Sequence, residues 1–124
     1  MQHNLIFLLL PSYFLGSIPF GLIFTKVFGY GDIRRIGSKN IGATNVLRHS
    51  GKLLGFITLL LDAAKGFVPI IYYIYFDTGI HLFAQSYTIM IGAATILGHI
   101  YTPWLSLRGG KGVATTYGVI LAIL

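Results

Sequence analysis

Long apolar runs constrain this sequence more than any other feature. Residues 5–25 comprise 21 amino acids without a formally charged side chain, and about 20 apolar residues are enough for a helix to cross the hydrocarbon core of a bilayer. Residues 53–76 and 82–107 form two further runs of that length, and residues 113–124 begin a fourth. The sequence therefore predicts an all-α fold, a polytopic integral membrane helical bundle with three complete spans and an incomplete fourth.

Composition excludes the main soluble alternatives. Only 10% of the residues are charged, against about 25% in an ordinary soluble domain, and a chain of this size has too much surface to cover with so few charges. A disordered chain would be polar and highly charged. The length of 124 residues allows one domain at most, so we assign residues 1–124 to a single, partial membrane domain.

The two ends of the chain raise separate questions. Residues 112–124 would extend about 20 Å as a helix, which is short of the roughly 30 Å hydrocarbon core, so we expect a truncated chain or a piece of a longer protein. A signal peptide is the alternative for the first run, but it requires a positively charged start and a shorter apolar core. Residues 1–4 carry no Lys or Arg, which disfavours that alternative.

Basic residues fall on one side of the predicted bundle. Eight of the nine Lys and Arg residues lie in or next to residues 29–51 and 108–112, whereas residues 77–81 carry none. Because cytoplasmic loops are enriched in Lys and Arg, we expect these two basic segments to be cytoplasmic loops and the N-terminus to lie outside.

The first basic loop combines cations with glycines and small polar residues. Glycine allows backbone N–H groups to converge on an anion, and residues 42–48 are predicted to open a helix whose N-terminus points at a phosphate. Thr44 and Arg48 share one face of that helix, and arginine matches phosphate oxygens in a planar, bidentate way. The alternative is a solvated loop that only sets topology. The polar candidates are Ser38, Asn40, Gly42, Thr44, Asn45 and Arg48.

The second basic loop is similar to a nucleotide-binding P-loop only superficially. The Walker pattern requires glycine where Leu105 stands and Ser or Thr where Gly112 stands, so an ATPase is excluded. What remains is Lys111, flanked by Gly109, Gly110 and Gly112 at the start of a predicted helix, which suits a phosphoryl group. The alternative is a flexible hairpin between two spans.

Two charged residues lie inside the second predicted span. Asp62 and Lys65 are three positions apart and meet on one helix face, which we expect to point to the protein interior because charges inside a span are costly. We predict a structural ion pair; the alternative is a pair that orients the two loops. His99, near the cytoplasmic end of the third span, is a candidate base, hydrogen-bond donor or interfacial anchor. No His, Asp and Glu residues have the spacing of a metal site, and there is no cysteine.

These motifs, in this order, resemble the bacterial membrane-bound acyl-phosphate–glycerol-3-phosphate acyltransferases, the PlsY family. The first family motif is similar to Gly16-Ser-Ile-Pro-Phe-Gly21, Asp32-Ile-Arg34 and Gly37-Ser-Lys-Asn-Ile-Gly-Ala-Thr-Asn-Val-Leu-Arg48. The intramembrane Asp/Lys element is similar to Leu61-Asp-Ala-Ala-Lys-Gly66, and the second motif is similar to Gly98-His99, Pro103 and Gly109-Gly-Lys-Gly-Val-Ala-Thr115. A third family motif, with His, Asn and Glu residues, has no counterpart in these 124 residues.

The resemblance implies a reaction and a location. The reaction is acyl transfer from acyl phosphate to the 1-hydroxyl of glycerol 3-phosphate, which gives lysophosphatidic acid and phosphate in the first step of phospholipid synthesis. The implied partners are acyl phosphate, glycerol 3-phosphate and membrane lipid, with no nucleic acid, no metal and no cofactor. The implied location is the bacterial inner membrane, with several spans and a cytoplasmic active face.

The resemblance also assigns site residues by position. Ser38, Arg48, Lys111 and His99 would form the catalytic set. Ser38 is expected to donate a hydrogen bond rather than act as a covalent nucleophile, because the acyl donor is already activated. Asp62 and Lys65 would form the structural ion pair. The residues expected to contact substrate phosphates are Asn40, Gly42, Thr44, Asn45, Gly109, Gly110 and Gly112.

Two other functional classes stay open. A truncated remnant that inserts and binds anionic lipid without turnover would need only the basic loops. A transporter for phosphorylated solutes would place polar groups near the bilayer midplane, whereas here they lie mostly at one predicted surface. The sequence leaves open the acyl-chain preference, the oligomeric state and the roles of Asp32 and His49.

Overall fold

The computed structural model describes residues 4–76 and 84–124, and within these ranges it contains helices and no strand. The all-helical prediction is therefore confirmed for the described residues. Two 3₁₀ turns, Ile33–Arg35 and Pro103–Leu105, lie in the first basic loop and just before the second. The α-helices, in chain order, are α1 (Ile6–Gly16), α2 (Phe20–Val27), α3 (Ala43–Ser50), α4 (Lys52–Phe76), α5 (Ala84–Ile100) and α6 (Val113–Ile123).

Among the described residues, two stretches are long and apolar enough to cross a membrane: Ile6–Val27, which contains α1 and α2, and α4. α5 has 17 residues and α6 has 11, which corresponds to lengths of about 26 and 17 Å. The number of crossings and the side on which the N-terminus lies therefore stay predictions. The predicted outer loop, residues 77–81, and residues 1–3 lie outside the described residues.

The first apolar run does not form one continuous helix, and the membrane span over residues 5–25 stays a prediction. α1 ends at Gly16 and α2 begins at Phe20, because Pro19 has no N–H and disfavours a helical conformation in the residue before it. Proline has the same effect in the third run. Its helix ends at Ile100, shortly before Pro103, rather than at residue 107.

The interior of the bundle contains many polar side chains, whereas many large apolar side chains lie on its outside. Large apolar side chains such as Phe7, Leu53 and Tyr75 are more than 70% exposed. Several threonine hydroxyls instead lie in the interior and donate hydrogen bonds to main-chain carbonyls. This distribution suits a hydrocarbon environment, where backbone and side-chain polar groups must be satisfied within the protein. The threonines that are at most 1% exposed are Thr25, Thr58, Thr95, Thr102 and Thr115.

Glycines bring the helices that carry the site into backbone contact. A Cβ on Gly66 of α4 would collide with the Thr115 carbonyl, and a Cβ on Gly118 of α6 would collide with the Ala63 carbonyl. Small residues at such crossings are typical of helices packed in membranes. The contact holds the start of α6, which follows the second basic loop, against the middle of α4.

Candidate functional site

The two basic loops meet at one open cavity of about 460 Å³. Its lining comes from both loops, the first turns of α3 and α6, the middle of α4 and the end of α5. The structure thus brings together residues that are far apart in the sequence. The residues predicted for the site or for the ion pair that line the cavity are Ser38, Asn40, Gly42, Thr44, Asn45, Arg48, Asp62, His99, Lys111 and Gly112.

The N-terminus of α3 faces this cavity. Gly42 precedes the helix in an extended conformation, and no side chain caps the first turn. Val46 is the first residue of α3 whose amide donates to a carbonyl behind it, that of Gly42, so the earlier amides point out of the helix end. Thr44 and Arg48 lie one turn apart, and both are exposed and line the cavity. An anion here would meet amides, a hydroxyl and a guanidinium.

Asn45 organises the first loop from the inside. Its side chain is only 2% exposed, and its Oδ1 accepts a hydrogen bond from the Ser38 amide over 3.3 Å. Its Nδ2 lies within hydrogen-bonding distance of three carbonyls, at 2.9 Å from those of Ile36 and Asn40 and 3.2 Å from that of Ile33. Both polar atoms are therefore used within the loop. Asn45 also lines the cavity, and its contact with a phosphate stays a prediction.

The second loop folds back onto the end of α5. The Gly109 amide donates to the Ile100 carbonyl over 2.8 Å, and the Gly110 amide donates to the His99 carbonyl over 3.1 Å. A Cβ on Gly110 would also collide with the His99 ring. Both amides are occupied, and neither glycine is among the residues that line the cavity. The two glycines thus shape the loop, and their contact with a phosphate stays a prediction.

Lys111 is the cation that the second loop brings to the cavity. It is exposed, and Gly112 after it adopts φ +79°, a left-handed conformation that favours glycine and starts α6. Lys111 and Arg48 therefore face one cavity from two different loops. The acidic residue among the described lining residues is Asp62.

A buried polar cluster forms the floor of the cavity. Lys65 Nζ lies 3.0 Å from Asp62 Oδ1, and both side chains are almost completely buried, as the predicted ion pair requires. His99 Nδ1 lies 4.0 Å from the same oxygen, which is too far for a hydrogen bond. Because Lys65 compensates the Asp62 carboxylate from behind, the two exposed cations dominate the charge of the cavity.

Asp32 and Arg34 form a second ion pair, and neither residue lines the cavity. Arg34 Nε and Nη2 donate to the two carboxylate oxygens over 2.9 and 2.7 Å, and the Arg34 amide donates to one of them. These hydrogen bonds lower the pKa of Asp32 to about 2 and raise the pKa of Arg34. The pair supports the 3₁₀ turn of the first loop and removes Arg34 from the cations that face the cavity.

The structure adds a group of lining residues that sequence reasoning missed. In a chain that is 55% apolar, a single apolar side chain carries no signal for a site. The helical spacing of Val113 and Tyr117, one turn apart just after Lys111, is the one pattern that could have placed them on a common face. The added lining residues are Ala43, Leu59, Val113, Ala114 and Tyr117.

The sequence is similar to a family of known proteins. A family model described as glycerol-3-phosphate acyltransferase matches residues 6–124. A relative of that description from Caulobacter vibrioides (strain NA1000 / CB15N) is 52% identical over 111 residues, which cover 90% of this chain and 49% of the relative. Another, from Mesorhizobium japonicum, is 46% identical over 123 residues, which cover 99% of this chain and 60% of the relative. The chain thus spans about half the length of the curated relatives it matches.

The fold is similar to two crystal structures of PlsY (YgiH), an integral membrane glycerol 3-phosphate acyltransferase. The glycerol 3-phosphate form matches with a TM-score of 0.85 and 41% identity, over 98% of this chain and 58% of that chain. The lysophosphatidic acid form matches with a TM-score of 0.82 and 40% identity, over 98% and 57%.

Proposed function

We propose a function for this chain from one premise: it belongs to the glycerol-3-phosphate acyltransferase family. In this proposal the chain carries two phosphate-binding loops of an enzyme that moves an acyl group from acyl phosphate to the 1-hydroxyl of glycerol 3-phosphate. The products are lysophosphatidic acid and inorganic phosphate, and neither a cofactor nor a nucleic acid takes part.

The observation that supports the proposal most directly is the meeting of Arg48 and Lys111 in one cavity. Each lies in or next to its own glycine-containing loop. Arg48 lies in the second turn of α3, and Lys111 lies two residues before the start of α6. Both proposed substrates carry a phosphate, so two cationic loops around one cavity match two anions. A single-phosphate ligand would leave one of these loops without a partner.

Each loop binds one phosphate in the proposed arrangement. Arg48, Thr44 and the open amides at the start of α3 bind the first, because a helix N-terminus and a guanidinium both favour phosphate oxygens. Lys111 binds the second from the start of α6. Ser38 and Asn40, which also line the cavity, add hydrogen bonds that orient the substrates.

The chemistry needs positioning more than a nucleophile from the protein. The 1-hydroxyl oxygen attacks the acyl carbonyl carbon, an ester C–O bond forms, and the C–O bond to the phosphate breaks. The hydroxyl proton passes to an oxygen of the released phosphate. Lys111 and Arg48 stabilise the charge that develops on the carbonyl and leaving oxygens. His99 supports Lys111 through its carbonyl, which accepts the Gly110 amide hydrogen bond.

The acyl chain remains in the bilayer in this proposal. Leu59, Val113 and Tyr117 line the cavity and are exposed on the outside of the bundle, so a chain leaving past them stays among apolar groups. The phosphates then lie at the membrane surface, on the side where basic loops collect. We therefore place the protein in the bacterial inner membrane, with several spans and with the cavity facing the cytoplasm.

A second candidate is phosphate or lipid binding without turnover. It needs only the groups that bind an anion, the exposed Arg48 and Lys111 that line the cavity. The two candidates share the cavity and its cations. They differ only in whether an ester bond forms.

The test measures product formation in lipid nanodiscs. The chain, and a chimera in which the C-terminal part of the Mesorhizobium japonicum relative continues after Leu124, are each supplied with palmitoyl phosphate and radiolabelled glycerol 3-phosphate. Lysophosphatidic acid is expected from the chimera, with its loss in Arg48→Ala and its retention in Arg35→Ala, an exposed arginine that does not line the cavity. Glycerol 3-phosphate binding without product in either protein would favour the second candidate.

A further inference from the structure

The break between α1 and α2 anchors the segment that leads into the second loop. The Ser17 carbonyl accepts a hydrogen bond from Thr102 Oγ1 over 2.8 Å, and Ser17 Oγ accepts one from Trp104 Nε1 over 3.0 Å. α2, on the other side of the break, leads into the first loop, and a Cβ on Gly21 would collide with the Ile41 carbonyl of that loop. Both phosphate loops are therefore attached to this break.

Lys65 connects the break to the floor of the cavity. Its Nζ donates to the Ile18 carbonyl over 2.9 Å, lies 3.0 Å from Asp62 Oδ1 and lies 5.7 Å from the centre of the Phe20 ring. Its side chain is 1% exposed. Asp62 lines the cavity, and its own carbonyl accepts a hydrogen bond from Thr115 Oγ1 in the first turn of α6 over 2.9 Å.

Charge compensation alone does not require this geometry. The buried ammonium group has three N–H donors that need acceptors, but charge compensation does not decide which carbonyl is used, and the Ile18 carbonyl is 47 positions away in the sequence. It belongs to the break in the first apolar run, where the helical bonding pattern is interrupted. The same ammonium group therefore donates to the Ile18 carbonyl at the break and holds the Asp62 carboxylate at the cavity.

We propose that Lys65 is a positioning residue: by bridging Asp62 and the Ile18 carbonyl, it sets the separation of the two phosphate loops. The proposal rests on the proposed function for the identity of the ligands. It makes a separate claim about the geometry of the loops. A purely structural ion pair would be replaceable by two neutral residues, whereas a bridge to Ile18 would not.

The test uses spin labels in the two loops. The chain has no cysteine, so Lys39→Cys and Arg108→Cys, both at exposed positions, give one label pair whose distance is measured by electron paramagnetic resonance in nanodiscs. Lys65→Met is compared with Asp62→Asn/Lys65→Met. The double variant removes the uncompensated charge and is expected to regain thermal stability. Its distance distribution is nevertheless expected to be at least twice as wide as that of the parent.

Ligand affinity gives the second measurement. The affinity for glycerol 3-phosphate is expected to fall at least tenfold in the double variant and to recover in Lys65→Arg, which keeps a cationic donor. Ile91→Ala, in the separate core cluster around Ile70 and Tyr73, is the control for general loss of stability. It is expected to lower the melting temperature and to leave the distance distribution unchanged.

Three outcomes have distinct meanings. A double variant with the parent's distance distribution overturns the proposal, as does a distribution that widens equally in Ile91→Ala. If the parent itself does not bind glycerol 3-phosphate, the proposed function fails, and the distance measurement still decides the role of Lys65.

Discussion

Asn45→Ala separates an organising role in the first loop from direct contact with a phosphate. The side chain is buried, its Oδ1 accepts the Ser38 amide hydrogen, and its Nδ2 faces three carbonyls. If Asn45 organises the loop, its removal changes the loop conformation even when no ligand is present. If Asn45 contacts a phosphate, its removal has an effect only when the ligand is added.

The magnitude follows from the hydrogen bonds. An amide nitrogen has two hydrogens, so the Nδ2 contacts amount to about two donated bonds, and the bond from Ser38 brings the total to about three. At about 1 kcal/mol each, the loop loses about 3 kcal/mol when the side chain is removed. Because 1.4 kcal/mol corresponds to a factor of ten, the local opening of the loop becomes about 100-fold more favourable.

Hydrogen exchange without ligand is the assay. The Ser38 amide is expected to exchange about 100-fold faster in Asn45→Ala, and glycerol 3-phosphate affinity is expected to fall with it. Asn40→Ala is the matched control, since its Oδ1 accepts a single amide bond, from Gly42, so the exchange rate should rise by tenfold or less. An Asn45→Ala protein that loses affinity while Ser38 exchanges within about fivefold of the parent rate would refute the organising role.

Lys111→Ala is expected to lower acyl transfer by the chimera about 30- to 1000-fold, the loss expected for a charge-assisted phosphate contact of about 2–4 kcal/mol; activity within about threefold of the parent would remove Lys111 from the site. In intact cells, Arg35→Cys and Arg108→Cys are expected to resist an impermeant thiol reagent added outside, and labelling of either would contradict the predicted orientation. Because the folded pKa of Asp32 is lowered from 3.8 to about 2, the Asp32–Arg34 pair stabilises the protein above about pH 4 and loses this effect as the pH falls toward 2. The contribution is below about 1 kcal/mol because the pair is partly exposed, and the melting-temperature difference between the parent and Asp32→Asn should shrink by more than half from pH 6 to pH 2.5.

Features that depend on local spacing could be predicted from the sequence. The apolar runs predict helices by their length, and the three-residue spacing of Asp62 and Lys65 predicts the pair that the structure contains. The break at Pro19 was not predicted, because membrane helices tolerate proline when other groups satisfy the freed carbonyls. Those groups are Thr102 and Lys65, and nothing in the first run indicates them.

The prediction of the site is limited by glycine and asparagine residues in the loops, because their amides can serve either of two purposes. Glycine and asparagine bind anions through amides, but the same amides also hold loops together. In the structure, the Asn45 side chain donates to a carbonyl as far back as Ile33, and the Gly110 amide donates to the His99 carbonyl. Both residues therefore hold loops together. Sequence spacing does not separate these uses, because the partners lie in segments whose approach depends on the fold.

Cations are easier to assign, because this chain has few acidic residues that could pair with them. Among its three acidic residues, Asp32 is paired with Arg34 and Asp62 with Lys65, each within three positions in the sequence. The third, Asp77, lies outside the described residues. Within the described ranges, Arg48 and Lys111 therefore have no carboxylate as an ion-pair partner, although both line one cavity. Two exposed like charges that line one cavity attract an anion, so a ligand that carries phosphate is the partner that this arrangement favours.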